Sequence, residues 1–144
     1  MEDQVKRPAI IWGTQVALLL WSLMMIPMTA LAAADAWDRT FLPPQLVWGL
    51  LMGVLPLVAF LALVKRAAFA RELTLLSLTC TWVYLIRCLV LELTWPYEGK
   101  GPQMGPRRIL LYALIIVPIC SLPVLFVKIG YGKKAAAFFN SFAR

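Results

Sequence analysis

Apolar residues fill four long runs of this chain, and the polar residues between them gather into short clusters. The runs cover residues 10–34, 45–64, 73–95 and 109–127. At a helical rise of ~1.5 Å per residue, each run is about as long as a bilayer core of ~30 Å is thick. The intervening stretches 35–44 (DAWDRTFLPP), 65–72 (KRAAFARE) and 96–108 (PYEGKGPQMGPRR) carry charges and helix-breaking Pro or Gly, so they are predicted as connections. The stretch 65–72 is short enough to force the second and third helices into antiparallel neighbours. Beyond Gly130-Tyr131-Gly132, residues 133–143 place Ala135, Phe138, Phe139 and Phe142 at i, i+3, i+4 and i+7. That spacing makes one apolar helical face and predicts a short amphipathic helix lying on the membrane. The expected fold is an all-α membrane protein of one domain, a four-transmembrane-helix bundle with a C-terminal interfacial helix.

Composition strengthens this picture. Of 144 residues, 62% are hydrophobic and 15% charged, and the mean hydropathy is +0.80. A soluble domain of this size cannot hide so much apolar surface. The net charge of +7 would suggest nucleic acid in a soluble protein, but here the basic residues flank apolar runs and form no nucleic-acid-binding motif. Such flanks set membrane orientation and favour anionic lipids. With four spans, Lys6, Arg7, Lys65, Arg66, Arg71, Lys128, Lys133, Lys134 and Arg144 fall on one side, nine in all, against four on the other: Arg39, Lys100, Arg107 and Arg108. The positive-inside rule then expects both termini in the cytoplasm, and a bacterial inner membrane is the expected location. The first run also imitates a secretory signal, with a basic start and Ala-x-Ala character at residues 30–34. Its length, and its interruption by Thr14, Gln15 and Ser22, favour a retained helix over a cleaved one.

The third run differs from the others because it contains charge. On a helical wheel, Thr74, Ser77, Cys80, Thr81, Tyr84, Arg87, Cys88, Glu92 and Thr94 fall within ~80° of Tyr84. Leu75, Leu78, Trp82, Ile86, Leu89 and Leu93 form the opposite side, with Thr79 as a polar exception. Lipid cannot hydrogen-bond a polar stripe, so the stripe should face other helices or a wet cavity. Arg87 lies about 5 Å past the middle of the run by helical rise. Its expected partners are Gln15 or Ser22, carbonyls freed by Pro118 or Pro123, the carboxylates of Asp35 or Asp38, or an anionic ligand or partner subunit. Glu92 is five residues on and ~140° around the wheel, a strained direct pair. The candidate contact residues for a ligand or partner are therefore Arg87, Tyr84, Cys80, Cys88 and Glu92.

Helix packing has its own signals. Gly49 and Gly53 form a small-xxx-small face for close helix approach. Pro56 should bend the second helix, and Pro118 and Pro123 should kink or break the fourth. Catalytic signals are missing: there is no histidine, and Cys80, Cys88 and Cys120 form no Cys-x-x-Cys pair. That leaves no thiol redox motif, metal set, cofactor ligand or nucleophile–base pair to read, and the cysteines are expected to be small buried residues. Four short helices are shared with the small multidrug resistance transporters, but those rely on a membrane-embedded glutamate in the first helix, and residues 10–34 have none. The leading expectation is a non-enzymatic accessory, assembly or modulatory subunit of a larger membrane complex. The alternative is a small oligomeric transporter or channel using Arg87.

Overall fold

The computed structural model describes residues 7–35, 44–94 and 106–141, all of it helix and short connections. The helices are α1 (Ala9–Asp35), α2 (Pro44–Val64), α3 (Ala70–Thr94), α4 (Pro106–Tyr131) and α5 (Lys133–Asn140). Three of them contain stretches long and apolar enough to cross a membrane: Ala9–Leu31, Leu46–Val64 and Ala70–Leu91. A fourth is reached if α4 and α5, bent by 55° at Gly132, count as one span. α1 packs along α2, α2 along α3 and α3 along α4, while α4 touches α1 more sparsely.

In lipid the hydrophobic effect does not drive helices together, so close approach and dispersion must. The α1–α2 seam shows how. A Cβ at Gly49 would overlap the hydroxyl of Thr29, and one at Gly53 would lie 2.9 Å from Ile26 Cγ1. The small-xxx-small face is thus turned toward α1 of the same chain, with Ala59 and Ala62 buried further along α2.

The connection from α2 to α3 is tight. Arg66 has φ +52°, and the Arg66 and Ala67 amides donate back to the carbonyls of Leu63 and Ala62 at 3.4 and 2.9 Å. This is a Schellman ending with arginine where glycine is usual, at a cost of ~1–2 kcal/mol for a left-handed L-residue. α3 begins at Ala70, three residues before the apolar run, because the Ala70 and Leu73 amides turn onto the carbonyls of Ala67 and Phe69.

α4 is not broken at Pro118 or Pro123, and a bend of 55° lies at Gly132, between α4 and α5. One of the carbonyls that the prolines free is capped by a side chain of α3. Pro123 cannot donate to Ile119, and the Trp82 indole donates to that carbonyl at 2.9 Å. The Ser121 hydroxyl donates to the Pro118 carbonyl at 3.3 Å, a further bond within the same turn of α4. At Gly132 the backbone turns extended (φ −69°, ψ 127°), and its amide donates to Lys128.

The stripe on α5 is not laid on lipid. Ala135, Phe138 and Phe139 are buried with Ile11, Leu63, Ala70 and Ile129 in one cluster at the end of the bundle. Taking a phenylalanine side chain out of water contributes about 1.5–3 kcal/mol. The bend at Gly132 folds the face back onto the chain, so α5 plugs the bundle end. Phe142 lies outside the described residues.

Candidate functional site

At the plugged end, arginines close the helices. Arg7 donates to the Val64 carbonyl at 3.3 Å and to Gln15 Oε1 at 3.5 Å. Arg71 donates to the Gly130 carbonyl. Both carbonyls belong to helix C-termini, where unpaired C=O groups concentrate partial negative charge. The Arg66 guanidinium lies 5.7 Å from the Phe138 ring centroid. Lys65, Lys128, Lys133 and Lys134 remain exposed around these three arginines. Gln15, expected as a partner for Arg87, is therefore engaged at the basic end.

Arg87 lies toward the other end of the bundle. Because α3 starts at Ala70, its midpoint is Trp82, and Arg87 lies about 7.5 Å beyond it by helical rise. Its guanidinium sits over the Trp48 ring of α2, 6.0 Å from the centroid. Trp48 also meets Tyr84 at 6.4 Å with the rings tilted by 37°. Trp48, Tyr84 and Arg87 thus form one aromatic–cation cluster joining α2 to α3, all three half-buried. An aromatic face attracts a cation by ~1–2 kcal/mol when the pair is partly desolvated. Among the described residues Arg87 has no hydrogen bond or ion pair. The Pro123-freed carbonyl goes to Trp82, Gln15 goes to Arg7, and the side chains of Glu92, Asp35 and Asp38 lie outside the described residues.

The small polar side chains of α3 divide into two classes. Thr74 and Thr94 donate to carbonyls four residues back, Ala70 and Val90, at 2.7 Å each, and Thr79 donates to Leu75 at 2.9 Å. These hydroxyls are satisfied by their own helix, so Thr79 and Thr94 can stand exposed among apolar neighbours. Ser77 is different: it is buried and its hydroxyl has no partner among the described residues. Gln15 Nε2 and Ser22 Oγ on α1 are buried and unpartnered in the same way. Leu78, placed on the lipid-like side by the wheel, is buried in the core. Cys80 and Cys88 are half-buried and Cys120 is exposed, all as free thiols. The expectation of buried cysteines therefore fails for Cys120, which α4 presents on its outer face. No group of three or more His, Cys, Asp or Glu side chains among the described residues could hold a metal.

Sequence reasoning missed Trp48. A tryptophan near a helix end reads as an interfacial anchor, and only the α2–α3 register brings it to Arg87. Clefts among the described residues lie at two helix seams. One, of about 270 Å³ between α1 and α2, borders Gly49 and Gly53. The other, of about 290 Å³ between α3 and α4, borders Trp82 and Pro123. Neither is lined by Arg87. Comparison with protein-family models, curated proteins and solved structures gives no match.

Proposed function

We propose that the chain crosses a membrane four times with both termini in the cytoplasm, and that it is a non-enzymatic accessory, assembly or modulatory subunit of a larger membrane complex. The observation that carries this reading is the position of Arg87 against Trp48. This charge, inside the α3 span, meets an aromatic ring of the neighbouring helix of the same chain. The basic end, with Lys65, Lys128, Lys133 and Lys134 exposed, suits the cytoplasmic headgroup layer. The test is purification from native membranes in mild detergent without crosslinkers. A larger membrane protein in fixed stoichiometry is the expected result. A lone chain or homodimer whose melting temperature rises with a small solute would overturn the reading.

A second reading, a small oligomeric transporter or channel, is favoured by one observation. Gln15 Nε2, Ser22 Oγ and Ser77 Oγ are buried without hydrogen-bond partners among the described residues. Buried polar groups of that kind are ordinarily satisfied by water. The two readings differ in whether bulk water reaches Ser22 and Ser77.

A further inference from the structure

We propose that the outer face of α3 around Arg87 docks a transmembrane helix of a different protein, and that an ionised carboxylate on that helix pairs with the guanidinium. The inference rests on the accessory reading and gives the partner its chemistry.

The helix itself defines the face. Leu76, Val83, Val90 and Leu91 are exposed, and at ~100° per residue each stands within ~60° of Arg87. Leu78, Thr81 and Leu85 are buried and stand ~120–180° from it. α4 meets α3 through Leu75 and Trp82, ~120–140° round on the flank opposite Tyr84. α2 covers only the Tyr84 flank, through Trp48, and Val47 and Leu51 beside that ring are exposed. Arg87 therefore belongs to an outward apolar strip, about 22 Å long from Leu76 to Leu91, and not to the buried polar positions of α3.

Its guanidinium is only partly engaged. The Trp48 ring covers one side, and its N–H donors meet no acceptor among the described residues. Lipid tails offer them none. With the middle of α3 at the midplane of a ~30 Å core, the Arg87 backbone lies about 7.5 Å from the nearer headgroup boundary. Helical side chains leave the backbone leaning toward the N-terminus, which for Arg87 is toward the midplane. The ring beneath the guanidinium also meets Tyr84, one turn deeper. A carboxylate on a neighbouring helix at this depth satisfies the open N–H edge with charge-assisted, bidentate bonds. A lipid phosphate would have to be drawn below its own layer to do the same.

A second copy of the chain does not fit. Copies sharing one membrane orientation are related by an axis along the membrane normal. Such an axis keeps each residue at its own depth, so Arg87 would face Arg87. Glu72, exposed on the same side of α3, is about 22 Å away along the helix, and position 92 stands ~140° round from Arg87. The acceptor must come from another chain.

The test uses the purified full chain in phosphatidylcholine vesicles, with a donor dye at its N-terminus. The probe is a lysine-flanked leucine–alanine transmembrane peptide bearing an acceptor dye, with one glutamate about 7.5 Å from its middle. Sister peptides carry glutamine or leucine there, and association is read by energy transfer at about pH 8, above the ordinary carboxylate range. The glutamate peptide should associate about tenfold more tightly than the leucine peptide, with glutamine between them. Arg87→Leu should erase the difference, and Arg87→Lys should keep part of it. The peptide series on the unaltered chain decides even if a variant fails to fold. Equal association of the three peptides, or a glutamate preference that survives Arg87→Leu, would overturn the proposal. So would a preference that vanishes when phosphatidylglycerol is mixed into the vesicles, which gives Arg87 to a lipid phosphate, or self-association of the chain that Arg87→Leu removes. In native membranes, a larger partner that stays bound to Arg87→Leu would overturn this pairing and leave the accessory reading standing.

Discussion

Replacing Arg87 by leucine removes two opposed terms. An arginine at the centre of a membrane helix costs ~2.5–3.5 kcal/mol on insertion scales. Arg87 lies about 7.5 Å beyond the middle of α3, and its long stem lets the charge reach toward the headgroups, so only part of that cost applies. Against it stands the attraction of the Trp48 ring at 6.0 Å, worth ~1–2 kcal/mol when partly desolvated. The terms nearly cancel, and Arg87→Leu alone should change stability by no more than ~1 kcal/mol in either direction. A double-mutant cycle separates them. Trp48→Leu also removes the Tyr84 ring contact at 6.4 Å, but that loss occurs with and without Arg87 and drops out of the coupling. The expected coupling between positions 48 and 87 is ~1–2 kcal/mol, read from reversible unfolding in mixed micelles. Arg87→Lys keeps the charge but loses the delocalised, weakly hydrated guanidinium, and should retain only part of it. A coupling below ~0.3 kcal/mol would refute the claim that the ring holds the cation.

Other outcomes follow from the packing. Gly49→Leu and Gly53→Leu should each destabilise by ~1–3 kcal/mol, since Thr29 and Ile26 occupy the space; a neutral effect on unfolding would mean α1 does not approach α2 there. Trp82→Phe leaves the Ile119 carbonyl unpaired beside Pro123 and should cost ~1–3 kcal/mol, with faster amide exchange along the second half of α4. At the α2–α3 turn, Arg66→Gly relieves the positive φ while Arg66→Ala keeps it, and both lose the Phe138 contact. Glycine should therefore melt higher than alanine by the equivalent of ~1 kcal/mol; equal melting would show that the turn is not strained.

The helices were legible in the sequence because apolar length alone marks them. Charge-free runs give positions within a few residues, and the ends that moved, at Ala70 and Tyr131, are set by local backbone bonds rather than by hydropathy. The apolar face of α5 was legible as a face, but its periodicity is the same whether lipid or protein covers it. The bend at Gly132 decides that, and it depends on tertiary packing. The α3 stripe misled in one respect: threonine counts as polar on a wheel, yet Thr74 and Thr94, like Thr79 on the opposite side, spend their hydroxyls on their own helix. Ser22 and Ser77 are the polar residues that do call for explanation. The partner of Arg87 was hidden because it depends on the register of α2 against α3.

Water access to the interior tests the central claim most directly. Cys80, Cys88 and Cys120 are replaced by alanine, and Ser22→Cys or Ser77→Cys is introduced in turn, with exposed Lys133→Cys as a reactive reference. Intact membrane vesicles of both orientations are treated with a charged, water-soluble thiol reagent. If Arg87 is a packing contact in a closed bundle, positions 22 and 77 should remain unlabelled while position 133 reacts from the cytoplasmic side. Rapid labelling of Ser22→Cys and Ser77→Cys, comparable to that at position 133, would contradict the accessory reading and support a hydrated pathway through the bundle.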